Sequence, residues 1–187
     1  MSARVVGIDL SLTSTGLADS QARVERVQTK ATDGDLRSDL RRQNTIINAV
    51  LDFTGGVSGG GRAALVVIEG PAYGTRRQGG EHARAGCWWR LVDRLTPLIV
   101  GEGWPYTVVI ATPAQRAMYA TGVGNASKDK VLAAAIRRYP AWDITGNDVA
   151  DAVVLAAIGA RLLGHPVEES LPQSHLRALA KLALPTT

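Results

Sequence analysis

Two short apolar runs, each ending at an acidic residue, constrain the fold of this 187-residue chain more than any other feature. The first spans Arg4–Leu10 and contains Asp9, and the second spans Ala64–Ile68 and is followed by Glu69. Continuous apolar runs of this length, rich in β-branched residues, are typical of buried strands. Pro71 cannot continue a central strand, so we expect the second strand to end directly after Glu69.

The remaining chain predicts three more strands and several helices. The strands are Thr15–Ser20, Val24–Thr29 and Thr107–Ala111. The helices are Asp35–Phe53, Gly79–Val100, Lys128–Tyr139 and Asn147–Leu163, with Asp35, Ser127 and Asn147 as caps. Pro113–Ala120 reads as a weak helical turn and is left uncounted, and Leu176–Leu184 as a further helix of the tail. The order β-β-β-α-β-α-β-α-α predicts an α/β fold with a mixed five-stranded sheet flanked by helices, in one domain over residues 1–165 with a tail over residues 166–187.

Composition excludes some classes of protein. No apolar run reaches the roughly 18 residues that a membrane span needs, so we expect no membrane association. The single cysteine, Cys87, excludes an internal disulfide and fits a reducing cytoplasm. The formal net charge of +4 agrees with a polyanionic partner without proving one.

Four carboxylates from three distant segments form the candidate site. Asp9 and Glu69 follow apolar strands, and sites in open α/β sheets collect where strands end. Asp148 and Asp151 have i, i+3 spacing, which places them on one face of the first turn of a helix. Such a set can hold two hard divalent cations about 4 Å apart and assist in-line phosphoryl displacement.

Each acid also has a plain structural explanation. An acid after a strand is often the first solvated loop residue, which applies to Asp9 and Glu69. Asp148 in a first helical turn commonly interacts with the helix dipole. Asp151 is harder to explain in this way because an apolar helix face follows it.

The motifs together resemble the RuvC family of Holliday-junction resolvases. The similarity rests on Gly7-Ile8-Asp9-Leu10-Ser11 with Thr15-Gly16, Val67-Ile68-Glu69, Gly122-Val123-Gly124 with Ser127-Lys128 and Lys130-Val131, and Asp148-Val149-Ala150-Asp151-Ala152. It runs in register from Val5 to about Leu163. The resemblance implies the RNase-H-like fold. The unusually glycine-rich segment Gly55–Gly61 suggests a divergent branch of the family, for which we expect a bacteriophage origin and a location in the host-cell cytoplasm.

The resemblance also implies an activity and partners. It implies a homodimer that binds a four-way DNA junction and nicks two strands with two Mg²⁺ or Mn²⁺ ions per site. By position, Asp9 bridges both ions, Glu69 holds one, and Asp151 with Asp148 holds the other. Lys128 matches the basic residue near the scissile phosphate, where a cation stabilises developing negative charge. Whether a helicase partner exists is left open.

Further DNA contacts follow from the same comparison. Tyr73 is the candidate for stacking on bases at the junction, although an ordinary turn tyrosine is an equal alternative. Arg76 and Arg77 suit phosphate contacts, although such pairs are often solvated surface. Arg116 and Lys130 are the remaining candidates, with Arg116 not clearly in register.

The helix that begins near Gly79 corresponds to the helix that pairs across the dimer in this family. Trp88 lies on its apolar stripe and is assigned to the core. Trp89 is turned about 100° away and is the candidate for the interface.

Three other functions stay open. The pattern Gly7-Ile8-Asp9 with Ser11, Ser14 and Gly16 also resembles the first phosphate loop of sugar kinases and actin-type ATPases, although a second such loop is missing. A compact nuclease related to RuvC that processes RNA shares the fold and the acids. A DNA-binding protein with a decayed site is disfavoured because all four acids are present.

Overall fold

The computed structural model of the protein describes residues 3–32, 34–55, 61–71, 81–96 and 106–184. Its strands are β1 (Val5–Asp9), β2 (Ser14–Asp19), β3 (Val24–Gln28), β4 (Leu65–Glu69) and β5 (Thr107–Ala111). They form one five-stranded sheet in the order β3-β2-β1-β4-β5. The strand β2 runs antiparallel to both β1 and β3, whereas β4 runs parallel to both β1 and β5. The predicted mixed sheet is therefore confirmed.

Helices cover both faces of this sheet. They are α1 (Leu36–Gly55), α2 (Glu81–Leu95), α3 (Pro113–Thr121), α4 (Lys128–Arg138), α5 (Asn147–Leu162) and α6 (Gln173–Leu176), followed by a 3-10 turn (Arg177–Leu179). Alternate strand residues face opposite ways, so Val6 and Ile8 pack against α1 and α2 while Val5 packs against α5. None of the helices in the described ranges is long and apolar enough to cross a membrane.

Glycines let α5 lie directly on the sheet. A Cβ atom added to Gly7 would lie 2.1 Å from the carbonyl oxygen of Ala152, and one added to Gly16 would lie 2.0 Å from that of Asp148. Gly159 on α5 faces the sheet, where an added Cβ would lie 2.5 Å from Cγ1 of Val5. Any larger side chain at these positions would push the helix away. The close approach therefore fixes where the acidic first turns of α5 lie relative to β1.

Replacing Gly7 with alanine is expected to reduce the free energy of unfolding by about 3 kcal/mol, at the upper end for overpacking, because the clashing atoms are backbone atoms. Gly86 within α2 provides a matched control, since nothing lies within 4 Å of an added Cβ there. Gly86→Ala should stabilise the protein by about 0.5–1 kcal/mol through helix propensity. Denaturant unfolding of both variants measures the difference, and equal stabilities would contradict the close packing of α5.

The predicted cap of α5 is wrong. The N-cap is Gly146, and no side chain caps this helix. Asn147 is already the first helical residue, from which its side chain cannot reach the free N–H groups of the next turn. Within the described part of the chain, its buried Oδ1 atom has no hydrogen-bond partner.

Two further elements differ from prediction. Pro113–Ala120, left uncounted in the sequence, lies within the true helix α3, which has a capping box between Thr112 and Gln115 and a proline at its start. The predicted helix Leu176–Leu184 is wrong, because α6 ends at Leu176 and passes into the 3-10 turn. That turn buries Ala178 in the same core as α3 and α5, so packing and not helix propensity decides its shape.

A buried carboxylate attaches the segment after α5 to the domain. Glu168 is buried, and it accepts hydrogen bonds from the hydroxyls of Tyr119, at 3.0 Å, and Tyr139. Nη2 of Arg161 lies 3.0 Å from the same carboxylate. The segment up to the 3-10 turn is therefore packed against α3, α4 and α5.

Candidate active site

Asp9 and Glu69 lie at the same edge of the sheet. The strands β1 and β4 are parallel, with Ile8 opposite Ile68, so their last residues are neighbours across the ladder. Next to them, Glu69 pairs with Ala111 at the end of β5. The apolar runs of the two strands thus deliver two carboxylates to one place, as the sequence predicted.

Arg116 bridges Glu69 and Asp151. Its Nε atom lies 2.5 Å from Oε2 of Glu69, and its Nη1 atom lies 2.6 Å from Oδ1 of Asp151. The capping box at Thr112 starts α3 directly after β5, which places Arg116 in the second turn beside Glu69. Arg116 is only 5% exposed and Asp151 only 1%. Arg116 is therefore buried inside the acidic cluster, although the sequence assigned it to the DNA surface.

Two carboxylates of this cluster, those of Asp9 and Asp151, resist ionisation. Desolvation, followed by the charges of Glu69 and Asp151, raises the pKa of Asp9 to about 8. Burial raises the pKa of Asp151 to about 7 against the opposing effect of Arg116. Burial lowers the pKa of Arg116, but the charges of Asp151 and Glu69 outweigh it and raise that pKa above its usual value. One guanidinium therefore does not offset the cost of ionising Asp9 and Asp151.

Asp148 has a different ion-pair partner from the acids that Arg116 bridges. Its carboxylate accepts a hydrogen bond from the hydroxyl of Ser14 and forms an ion pair with Nε of Arg26 at 2.9 Å. It is close enough to raise the pKa of Asp151. Asp148 and Asp151 do share the first turns of α5, but in this structure they bind different arginines.

Lys128 and Lys130 lie at the start of α4, which Ser127 caps as predicted. Both side chains are exposed. The charge of Lys128 lowers the pKa of Asp9 and of Asp151, so this lysine lies beside the acidic cluster. The predicted DNA contacts Tyr73, Arg76 and Arg77 lie outside the described residues.

The donor atoms of the cluster suit a divalent cation, but the side chains are not arranged around a cation site in this structure. Its donors are carboxylate oxygens, which magnesium and manganese prefer. Among the described residues, Oδ2 of Asp151 is buried without a hydrogen-bond partner. The same part of the chain contains no group of three or more histidine, cysteine, aspartate or glutamate side chains already arranged to hold a metal ion. Arg116 between Glu69 and Asp151, and Arg26 on Asp148, account for this.

Two solved structures of a bacterial protein are similar to this chain over most of its length. Thermus thermophilus RuvC matches with a TM-score of 0.60 at 18% sequence identity, covering 87% of this chain and 97% of that one. T. thermophilus RuvC in complex with a Holliday junction substrate matches with a TM-score of 0.58 at 16% identity, covering 98% and 99%. The chain has a RuvC-like fold. No protein-family model and no curated protein matches its sequence.

Sequence reasoning missed two residues of this candidate site. Ser14 and Arg26 bind Asp148 across more than a hundred residues of sequence. The hairpin register pairs Gly16 with Arg26, so the long side chain of Arg26 lies beside a residue without one. The sequence spacing of β2 and β3 could have predicted that they pair in this register. The sequence does not indicate that the first turn of α5 packs against the same hairpin.

Proposed function

We propose that this protein is a metal-dependent endonuclease that resolves four-way or other branched DNA by paired nicks. The observation that carries the proposal is the convergence of Asp9, Glu69 and Asp151 at the edge where β1, β4 and α5 meet. The raised pKa values of Asp9 and Asp151 support it, because crowded carboxylates are stabilised by cations.

Each residue of the cluster then has a role. Asp9, Glu69 and Asp151 hold the divalent cations, Mg²⁺ or Mn²⁺, with Asp148 as a fourth ligand. Two such ions supply Lewis-acid activation of water and stabilisation of the leaving oxygen. Lys128, exposed beside the cluster, stabilises negative charge that develops on the phosphate. Arg116 must release Glu69 or Asp151 before both carboxylates are free to bind a cation.

The DNA substrate and the dimer are inferred from similarity and surface features. The T. thermophilus RuvC structure that is similar to 98% of this chain is a complex with a Holliday junction substrate. The net charge of +4 suits a polyanion. Trp89 on α2 is 63% exposed, whereas Trp88 is buried, which supports α2 as the helix that pairs in a homodimer. Stacking by Tyr73 and phosphate contacts by Arg76 and Arg77 remain part of the proposal.

Cleavage of labelled four-way, Y-shaped and linear duplex DNA of the same sequence in Mg²⁺ tests the proposal. We expect nicks in the branched substrates near the branch point and much slower cleavage of the linear duplex. An RNA stem-loop and ATP serve as competing substrates. Preferential RNA cleavage, or ATP hydrolysis without nucleic acid, would contradict the proposal, and so would failure to cut any DNA.

A further inference from the structure

A basic groove runs along α4, away from the acidic cluster. Its volume is about 580 Å³, and it lies between α4, the end of α3 and α6. One face of α4 forms its floor through Lys130, Ala133, Ala134 and Arg137, which have the i, i+3, i+4, i+7 spacing of a single helix face. The two alanines leave open space between basic side chains about 10 Å apart along the axis.

The second wall of the groove is basic as well. Arg138 and His175 line it, and both are held by the carbonyl oxygen of Tyr119, at 3.1 Å from Nη1 of Arg138 and 2.8 Å from Nδ1 of His175. His175 belongs to α6, so the segment anchored by Glu168 completes this wall. No residue that lines the groove carries a carboxylate.

The basic groups at the two ends of the floor lack acidic partners. Neither Lys130 nor Arg137 forms an ion pair within the ranges that the structure describes, and both are exposed. Arg137 in the last turn of α4 also interacts favourably with the helix dipole, but this explains neither Lys130 in the first turn nor the open space between them.

The position of the groove relates it to the acidic cluster. Lys128, whose charge lowers the pKa of Asp9, and Arg137 belong to the same helix, about 13 Å apart along its axis. At about 100° per residue, a separation of nine residues places their side chains on opposite sides of α4. The groove and the acidic cluster therefore lie on different sides of this helix.

We propose that this groove binds the sugar-phosphate backbone of one DNA arm, outside the acidic cluster. The inference rests on the proposed nuclease function and assigns the segment with α6 a role in building a DNA-binding surface. The groove recognises phosphate charge and not base sequence, because its charged side chains Lys130, Arg137 and Arg138 are cationic.

The test is equilibrium binding of a fluorescent four-way junction in chelator, measured from 50 to 200 mM salt. The variant is the double substitution Lys130→Ala/Arg137→Ala. We expect binding to weaken about tenfold, and the slope of log affinity against log salt to fall by about 2, one for each lost phosphate contact. Arg37→Ala/Arg41→Ala removes the same charge from α1 on the opposite face of the sheet and should change binding little.

Neutral methylphosphonates locate the contact. Introduced at successive positions along one arm, they should weaken binding of the wild-type protein at the contacted phosphates, and the same positions should have no further effect on Lys130→Ala/Arg137→Ala. If the double variant binds the junction with wild-type affinity and salt dependence, the groove inference fails and the nuclease proposal stands. A wild-type protein that binds no DNA would overturn both. Melting temperatures close to wild type establish that the variant is folded.

Discussion

Replacing Asp9 with asparagine is expected to reduce cleavage of branched DNA about 10³-fold while leaving junction binding within a few-fold of wild type. Asparagine keeps the shape of the side chain but removes the charge that holds a cation between β1 and its neighbours. Metal ions contribute several kcal/mol to phosphoryl transfer, and about 1.4 kcal/mol corresponds to tenfold in rate. Binding persists because phosphate contacts elsewhere supply most of the affinity.

Single-turnover cleavage and equilibrium binding, measured on the same preparation, separate the two effects. Asp143→Asn is a suitable control, since Asp143 is an exposed acid between α4 and α5 that forms no ion pair with the described residues. It should cleave at the wild-type rate. An Asp9→Asn protein that cleaves as fast as Asp143→Asn would remove Asp9 from the proposed mechanism.

The Asp9→Asn protein should have a higher free energy of unfolding than the wild-type protein in chelator at pH 7. In the folded protein the pKa of Asp9 is raised by burial to about 8, against an ordinary value of 3.8 in the unfolded chain. Between these values the folded state retains a proton that the unfolded state releases, so the stability of the wild type falls as pH rises from about 4 to 8. Asparagine removes this dependence. Thermal unfolding should show an advantage that grows over this window and disappears below pH 4.

Replacing Arg116 with alanine is expected to lower the free energy of unfolding in chelator by roughly 3 kcal/mol, because it leaves buried carboxylates without their bridging cation. We expect the loss to come mainly from Asp151, because it is 1% exposed and its Oδ2 atom already lacks a hydrogen-bond partner among the described residues. Denaturant unfolding at neutral pH measures this loss.

Manganese should then stabilise Arg116→Ala more than the wild-type protein. In the wild type a cation must displace Arg116 from Glu69 or Asp151, whereas in the variant both carboxylates are free. The melting temperature should therefore rise further with Mn²⁺ in the variant, and calorimetric titration should give tighter binding. Arg116→Lys, which keeps one charge without the two-pronged contact, should lie between the two. Equal shifts in all three proteins would show that Arg116 does not compete with the metal.

The sequence predicted the strands that end in acids because their signal is local. The apolar runs before Asp9 and Glu69 are contained in a few consecutive residues each, and such runs are typical of strands buried on both faces, as β1 and β4 are. The helical pattern of α5 was also predicted correctly from the sequence. Its N-cap was not, because Gly146, which has no capping side chain, occupies that position instead of Asn147.

The pairing within the site could not be predicted because it depends on distances across the fold. Arg116 reaches Asp151 across 35 residues, and Arg26 reaches Asp148 across 122. Similarly, Leu36 and Leu40 have helical spacing with the buried Ile47, yet both are exposed, because the buried part of α1 begins only at Gln43 and Ile46. Spacing identifies a face but not how far the neighbouring layer extends.

The rate of nicking of a four-way junction, with and without divalent cation, tests the central claim most directly. The wild-type protein and Asp151→Asn should be compared under single-turnover conditions in Mg²⁺, Mn²⁺ and chelator. We expect nicking by the wild type in either metal, none in chelator, and a loss of about 10³-fold in Asp151→Asn in both metals. Nicking that continues in chelator, or an Asp151→Asn protein as active as wild type, would contradict an active site built from these carboxylates.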